Sequence, residues 1–234
     1  MSGGRYRAIF FDADDTIFDY HAGEEAAFAR TAEAFGLGDR TGEARARYRL
    51  HNTAVWRALE EGRITQDALK VERFRLLLAD MGCDTASAAD MGYHYLDRLV
   101  EQTQLLAGAE EVVARAAEKF ILVLVTNGLT TVQRRRFAAA PVTRHFEDIL
   151  ISEELGVAKP DPAIFTPALE KHRLGGEEVL LVGDSTTSDM PAARNAGMDF
   201  CWVNPAGAEA PEGYAPRYVV AGIGELLRIL DLDG

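Results

Sequence analysis

The sequence predicts an α/β fold: a mostly parallel, three-layer arrangement of strands and crossover helices, interrupted after its first strand by a block of helices. Three observations carry this. Short apolar runs at Ala8–Phe11, Phe120–Val125 and Val179–Val182 have the near-continuous hydrophobicity of strands buried on both faces. After Gly108, helix-patterned segments alternate singly with strand-patterned ones, which implies right-handed crossovers and parallel pairing. Between the first run and the second lies a stretch with helical spacing and no credible strand.

Taken in order, the first strand covers about Arg7 to Phe11 and stops at acids. Glu25–Ala34, Glu43–Leu59, Gln66–Met81 and Ala88–Leu99 then carry apolar residues at three- and four-residue steps, so four helices are expected. Gly36/Gly38, Gly62 and Gly82 break them, each near a residue of N-cap type (Thr41, Thr65, Thr85). Beyond Gly108 the reading is helix Glu110–Glu118, strand Phe120–Val125, helix Thr131–Ala139, strand Ile149–Ile151, helix Pro162–His172 and strand Val179–Val182. Helix Met190–Ala196, strand Phe200–Val203, strand Tyr218–Val220 and helix Gly224–Leu230 complete it. Residues 1–17 and 104–234 are thus expected to form the core, with 18–103 as a helical insertion.

The 234 residues are 47% hydrophobic and 26% charged, ordinary globular proportions that exclude wholesale disorder. A net charge of −12 lacks the positive field that nucleic acid or an anionic membrane surface selects, so neither is expected as a partner. No apolar run approaches the roughly 18 residues that span a bilayer. Two cysteines, Cys83 and Cys201, make no disulfide scaffold or metal motif, and no secretory leader pattern opens the sequence; a cytoplasmic setting is expected. Only Lys70, Lys119, Lys159 and Lys171 are lysines, which gives a lysine in a meaningful place extra weight.

In open parallel sheets, function gathers at the carboxyl ends of the strands. Those ends carry Asp12-Ala13-Asp14-Asp15-Thr16, then Thr126-Asn127-Gly128, then Lys159-Pro160 beyond a short loop, then Gly183-Asp184-Ser185 running on to Asp189. Each alone reads as a cap or a turn; their joint occurrence at successive strand ends does not. Together they suit phosphoryl transfer. A carboxylate can attack phosphorus and divide one hard step into two, and a divalent cation such as Mg2+ must then screen the repulsion between carboxylate and phosphate. Asp12 and Asp184 would supply that cation's carboxylates. Asp14 is placed to protonate the leaving alcohol and then deprotonate the attacking water. Thr126 and the N–H groups opening the next helix suit phosphate oxygens, and Lys159 would neutralise charge on the transferring group.

This set, all four motifs in order along essentially the whole chain, resembles the haloacid dehalogenase-like hydrolase superfamily. The resemblance implies a Rossmann-like core with an α-helical cap inserted after the first strand. It implies Asp12 as nucleophile, Asp14 as acid and base, and Thr126, Asn127 and Lys159 on the substrate. It also implies Mg2+ held by Asp12, the Asp14 carbonyl and Asp184, with Asp189 and Ser185 behind them orienting metal-bound water. Asp15 stands where most members have Gly. With that substitution, Cys201-Trp202-Val203-Asn204-Pro205 and the stretch from Trp56 through Glu61-Gly62 and Ile64 to Arg73-Phe74 are similar to the pyrimidine 5'-nucleotidase group. A phosphomonoester hydrolase using an aspartyl-phosphate, acting on pyrimidine nucleoside monophosphates, is therefore expected. Rival readings are a phosphoglycolate or sugar-phosphate phosphatase or mutase of the same superfamily, and a regulatory module that accepts phosphate on aspartate.

Other features carry less. Tyr20, His21 or Trp56 could stack on a base, although an aromatic at helical spacing is more often core. Arg73 could reach a substrate, although a solvated residue or a structural one within the helical insertion is the commoner reading, and His51, His94, His145 and His172 have no metal spacing. Arg134-Arg135-Arg136 reads as a solvated helix face, since three consecutive residues diverge around a helix. The expected partner is a small phosphate monoester, and the sequence leaves the oligomeric state open.

Overall fold

A computed structural model describes residues 5–232. Six parallel strands form one sheet in the order β3-β2-β1-β4-β5-β6: β1 (Ala8–Asp12), β2 (Ile121–Thr126), β3 (Asp148–Ile151), β4 (Val179–Gly183), β5 (Asp199–Val203) and β6 (Tyr218–Val220). Every residue of β1 is buried, as its unbroken apolar run requires, with Ala8 in register with Ile121 on one side and Val179 on the other.

The helices are α1 (Tyr20–Ala34), α2 (Thr41–Glu60), α3 (Gln66–Asp80), α4 (Ala88–Val100), α5 (Ala109–Ala116), α6 (Thr130–Ala139), α7 (Ser152–Leu155), α8 (Thr166–His172), α9 (Asp189–Asn195) and α10 (Leu226–Ile229). Alternate strand residues enter two separate apolar layers. Ile9, Phe11, Leu122, Leu124 and Val182 pack with Val112 and Val113 of α5, Phe137 of α6 and Leu226 of α10. Phe10, Val123, Val125 and Leu181 pack with Ala168 of α8, Met190 and Ala193 of α9, and Trp202. This is the three-layer, Rossmann-like α/β architecture. At roughly 1.5–3 kcal/mol for each large apolar side chain taken from water, these layers are the main favourable term in the core. From β1 the chain builds outward through β2 and β3 on one side, and later through β4, β5 and β6 on the other. The reversal falls between β1 and β4, where such sheets leave a crevice at the strand carboxyl ends.

The chain divides into two compact units, one reaching through Tyr20 and resuming at Thr103, the other His21–Gln102. Within the second, α3 packs against α2 and α4. Phe28, Tyr48, Phe74 and Tyr95 form its aromatic centre, with ring centroids 4.7–5.6 Å apart. The buried Arg73 guanidinium lies 4.8 Å from the Tyr95 ring centroid and donates to Asn52, so Arg73 is part of this unit's interior.

Some local expectations change. Thr65 caps α3 through a bond from Ala68 N, but Thr41 is the first residue of α2 and Asp84, not Thr85, caps the turn before α4. The helix expected over Pro162–His172 is a 3-10 turn (Pro162–Phe165) followed by α8, because Pro167 has no N–H to continue a hydrogen-bonded run. The short α7 was not expected. Among the described residues no helix is long and apolar enough to cross a membrane.

Candidate active site

The carboxyl ends of β1, β2 and β4 converge with the Lys159 loop on one buried cluster of charge. Lys159, 2% exposed, places Nζ 2.5 Å from Asp12 Oδ1 and 2.7 Å from Asp189 Oδ1, and donates to the Val125 carbonyl at 3.1 Å. Asp12, Asp184 and Asp189 bring carboxylate oxygens within 4.8 Å of one another. Asp12 ends β1, Asp184 follows β4 and Asp189 opens α9, so the sheet fixes all three.

The electrostatics follow from that crowding. Burial pushes the Asp12 carboxyl well above the usual carboxylate range; Lys159 opposes the shift, while Asp189, Asp184 and Asp14 add to it. Burial, Asp189 and Asp15 push Asp184 up to about 7. Burial works against the charge of Lys159, but Asp12 and Asp189 outweigh it and hold its proton more tightly than in an ordinary lysine. Three hard oxygen donors around a single ammonium are short of positive charge, and that donor set fits a small divalent cation.

Local structure explains the convergence. After β1 the chain turns back, Ile17 N and Phe18 N both donating to the Ala13 carbonyl and Asp15 N to the Phe18 carbonyl. Asp15 sits at φ +59°, the left-handed region that glycine enters freely and Asp tolerates better than most residues. Gly183 is required by a close approach: a Cβ there would lie 2.4 Å from Asp189 Oδ2. Ser185 N donates to that same Asp189 oxygen at 3.0 Å, and Trp202 Nε1 donates to the Asp184 carbonyl at 2.9 Å.

Several expected site residues have tasks the sequence did not indicate. Asn127 clasps the main chain of Lys159, donating to its carbonyl and accepting from its N–H, both at 2.8 Å; its amide positions the lysine. Ser185 Oγ accepts from Thr187 N and Ser188 N, closing its own loop. Asp189, expected behind the cation, has its carboxylate inside the cluster. Of the N–H groups opening α6, Gly128 N is bonded to Ser152 Oγ and Thr130 N to the Glu153 carboxylate, so these two are already used.

Thr126 is buried, and its Oγ1 accepts from Gln133 Nε2 at 2.9 Å, which leaves its own hydroxyl proton to donate. The Asp14 carboxylate faces α6: Gln133 Nε2 donates to Oδ2 at 2.8 Å, and Arg136 Nη1 lies 2.7 Å from Oδ1. Arg134 pairs with Glu154 on the surface, as a solvated face requires, but Arg136 is 1% exposed, which corrects the reading of the arginine triplet. A signal was present: Val132, Gln133, Arg136 and Phe137 share the buried stripe of α6 at helical spacing.

The Rossmann-like sheet thus gathers acids at the ends of β1 and β4 beside a buried lysine. A family model for haloacid dehalogenase-like hydrolases matches residues 6–197, and the chain belongs to that family. It is similar to the HAD-hydrolase YfnB of Bacillus subtilis, 34% identical over 98% of this chain and 97% of that protein. A magnesium-bound crystal structure of YfnB superposes with a TM-score of 0.86, covering 97% of this chain and 99% of that one. Two pyrimidine 5'-nucleotidases are also similar. PynA of Streptococcus pneumoniae is 31% identical over 97% of this chain and 95% of its own length. YjjG of Escherichia coli is 31% identical over 95% of this chain and 96% of its own.

Proposed function

We propose that the protein is a Mg2+-dependent phosphomonoester hydrolase acting through an aspartyl-phosphate, with pyrimidine nucleoside 5'-monophosphates as substrates. The observation that carries the reading is the cluster of Asp12, Asp184 and Asp189, two of them buried and paired with the buried Lys159, with Asp14 two residues beyond Asp12. The similarity to PynA and YjjG supports the substrate class.

Asp12, Asp184 and Asp189 would hold Mg2+, with the Asp14 carbonyl beside them; when bound, the cation supplies charge screening between carboxylate and phosphate. The Asp12 carboxylate attacks phosphorus. As the ester P–O bond breaks, Asp14 gives its proton to the departing alcohol oxygen. Water then attacks the aspartyl-phosphate, Asp14 takes its proton, and cleavage of the bond from phosphorus to Asp12 releases inorganic phosphate and restores both carboxyl groups. Lys159 and the Thr126 hydroxyl stabilise the charge on the transferring group throughout. The helical unit His21–Gln102 is the cap that selects the substrate.

The test is phosphate release from UMP, dUMP, phosphoglycolate and sugar phosphates, with Mg2+ and with chelator. Preference for UMP or dUMP and loss of activity on chelation are expected. Preference for phosphoglycolate would overturn the substrate class, and unchanged turnover in Asp12→Asn would overturn the mechanism.

A further inference from the structure

A fully buried arginine in the sheet-bearing unit has no part in the mechanism above, and its surroundings are built to hold it in one place. Arg136 lies 4.9 Å from the Phe18 ring centroid, 5.7 Å from that of Tyr20 and 5.8 Å from that of Phe137. The Phe18 and Phe137 rings themselves stack at 5.4 Å. The guanidinium is therefore boxed by aromatic faces, which attract a cation and fix its plane. Its Nη1 donates to Gln133 Oε1 at 2.9 Å. That bond sets which end of the Gln133 amide faces the site: Nε2 is turned to Asp14 Oδ2 and Thr126 Oγ1, at 2.8 and 2.9 Å. Gly128 leaves room for this side chain, since a Cβ there would come within 2.8 Å of Gln133 Cγ.

Burying a charge in this way gains little stability over an apolar residue of the same shape. What it fixes is geometry. Asp14 Oδ2 accepts from Gln133 Nε2 and Oδ1 lies 2.7 Å from Arg136 Nη1 as an ion pair, both partners standing on one rigid helix, and the same amide ties Asp14 to Thr126. We propose that Arg136 and Gln133 are positioning residues: they aim the Asp14 carboxyl at the leaving-group oxygen and keep it in register with the phosphate contact at Thr126. This rests on the reading of Asp14 as the acid that delivers its proton as the ester P–O bond breaks. A misplacement of about 1 Å in such a group is enough to cost on the order of a hundredfold in rate.

The inference is tested by the dependence of kcat/KM on the leaving group, which reports the step in which that proton moves. The substrates are p-nitrophenyl phosphate, whose leaving group departs unaided, phenyl phosphate, and an alkyl monophosphate, in the Mg2+-loaded enzyme. Arg136→Met is expected to lose about tenfold to a hundredfold on phenyl and alkyl phosphates, no more than a positioned general acid supplies, and less than about threefold on p-nitrophenyl phosphate. Arg136→Lys, which restores the charge without the fork, should recover part of that loss. Melting curves monitor folding; if Arg136→Met does not fold, Gln133→Met carries the same expectation. Equal losses on all three substrates, or none, would overturn the proposal. Asp14→Asn separates the two possible failures. If it steepens the leaving-group dependence and the Arg136 and Gln133 variants do not, the positioning role falls alone. If Asp14→Asn leaves the dependence flat, Asp14 is not the acid and both readings fall.

Discussion

The pH dependence of the cation-free protein follows from Asp184. Its carboxyl rises from an ordinary 3.8 to about 7 on folding, so the folded state holds that proton more tightly than the unfolded one. A raised acid contributes most to stability below its unfolded value and loses that contribution as pH climbs through the folded value. Between pH 5.5 and pH 8 the loss from this group is about 2 kcal/mol, taking 1.36 kcal/mol per pH unit of differential protonation. For a chain of this length that corresponds to about 4–8 °C in Tm. Asp12 shifts in the same direction and adds to the effect. Mg2+ binds the ionised carboxylates, so it should restore stability at pH 8 and much less at pH 5.5; at a hundred times its Kd it contributes about 2.7 kcal/mol. The assay is a set of melting curves at both pH values, with chelator and with Mg2+, on the wild type and on Asp184→Asn. The variant removes the Asp184 proton and also the Asp184 charge that helps raise Asp12, so it should show a flatter pH dependence. A wild-type Tm that falls no more steeply than that of Asp184→Asn, or equal stabilisation by Mg2+ at both pH values, would refute the reasoning.

Two further substitutions probe the same cluster. Gly183→Ala would place a Cβ 2.4 Å from Asp189 Oδ2, so the carboxylate must move; a destabilisation of about 1–3 kcal/mol in denaturant unfolding and weaker Mg2+ binding by calorimetry are expected. Lys159→Met leaves Asp12 and Asp189 facing each other without their shared cation, which should cost about 3–5 kcal/mol in the metal-free protein. The same change removes a positive charge from beside the cation site, so activity should be lost while Mg2+ binds more tightly; weaker binding in a folded Lys159→Met protein would count against the cluster as the cation site.

The legible parts of the sequence were those where one residue type has one physical use. β1, β2 and β4 are buried on both faces and so read as unbroken apolar runs, and their parallel order followed from single-helix connections. The acids stood out because a strand end is where a buried sheet meets solvent. Less legible were residues whose type has two uses. Asn127 was found at the site, but an amide that binds a substrate and one that clasps a lysine backbone look alike in one dimension. Arg136 was lost because charge on a helix is normally solvated, and only its place on the stripe with Val132 and Phe137 gives it away. The break before α8 was hidden because Pro167 is acceptable at a helix start and disruptive anywhere later.

The chain's charge has two parts with different physical meanings. Asp12, Asp14, Asp15, Asp184 and Asp189 lie at the site; without these five the 37 acids become 32 against 25 bases, or −7, which is ordinary surface acidity. Around the site Lys159 is matched by Asp12 and Asp189, and Arg136 by Asp14. A phosphate dianion brought to that arrangement meets more carboxylate than cation. Burial raises Asp12 and Asp184 and the carboxylates beside them add to the shift; a divalent ion would relieve that repulsion, so affinity for a metal and admission of a phosphate would draw on one electrostatic term. Binding free energies coupled in this way are reciprocal. On the proposed function, a bound metal would tighten phosphate binding by the same factor by which phosphate tightens metal binding, and the local sign of charge at the ends of β1 and β4 would be set by occupancy rather than by the net charge of the chain.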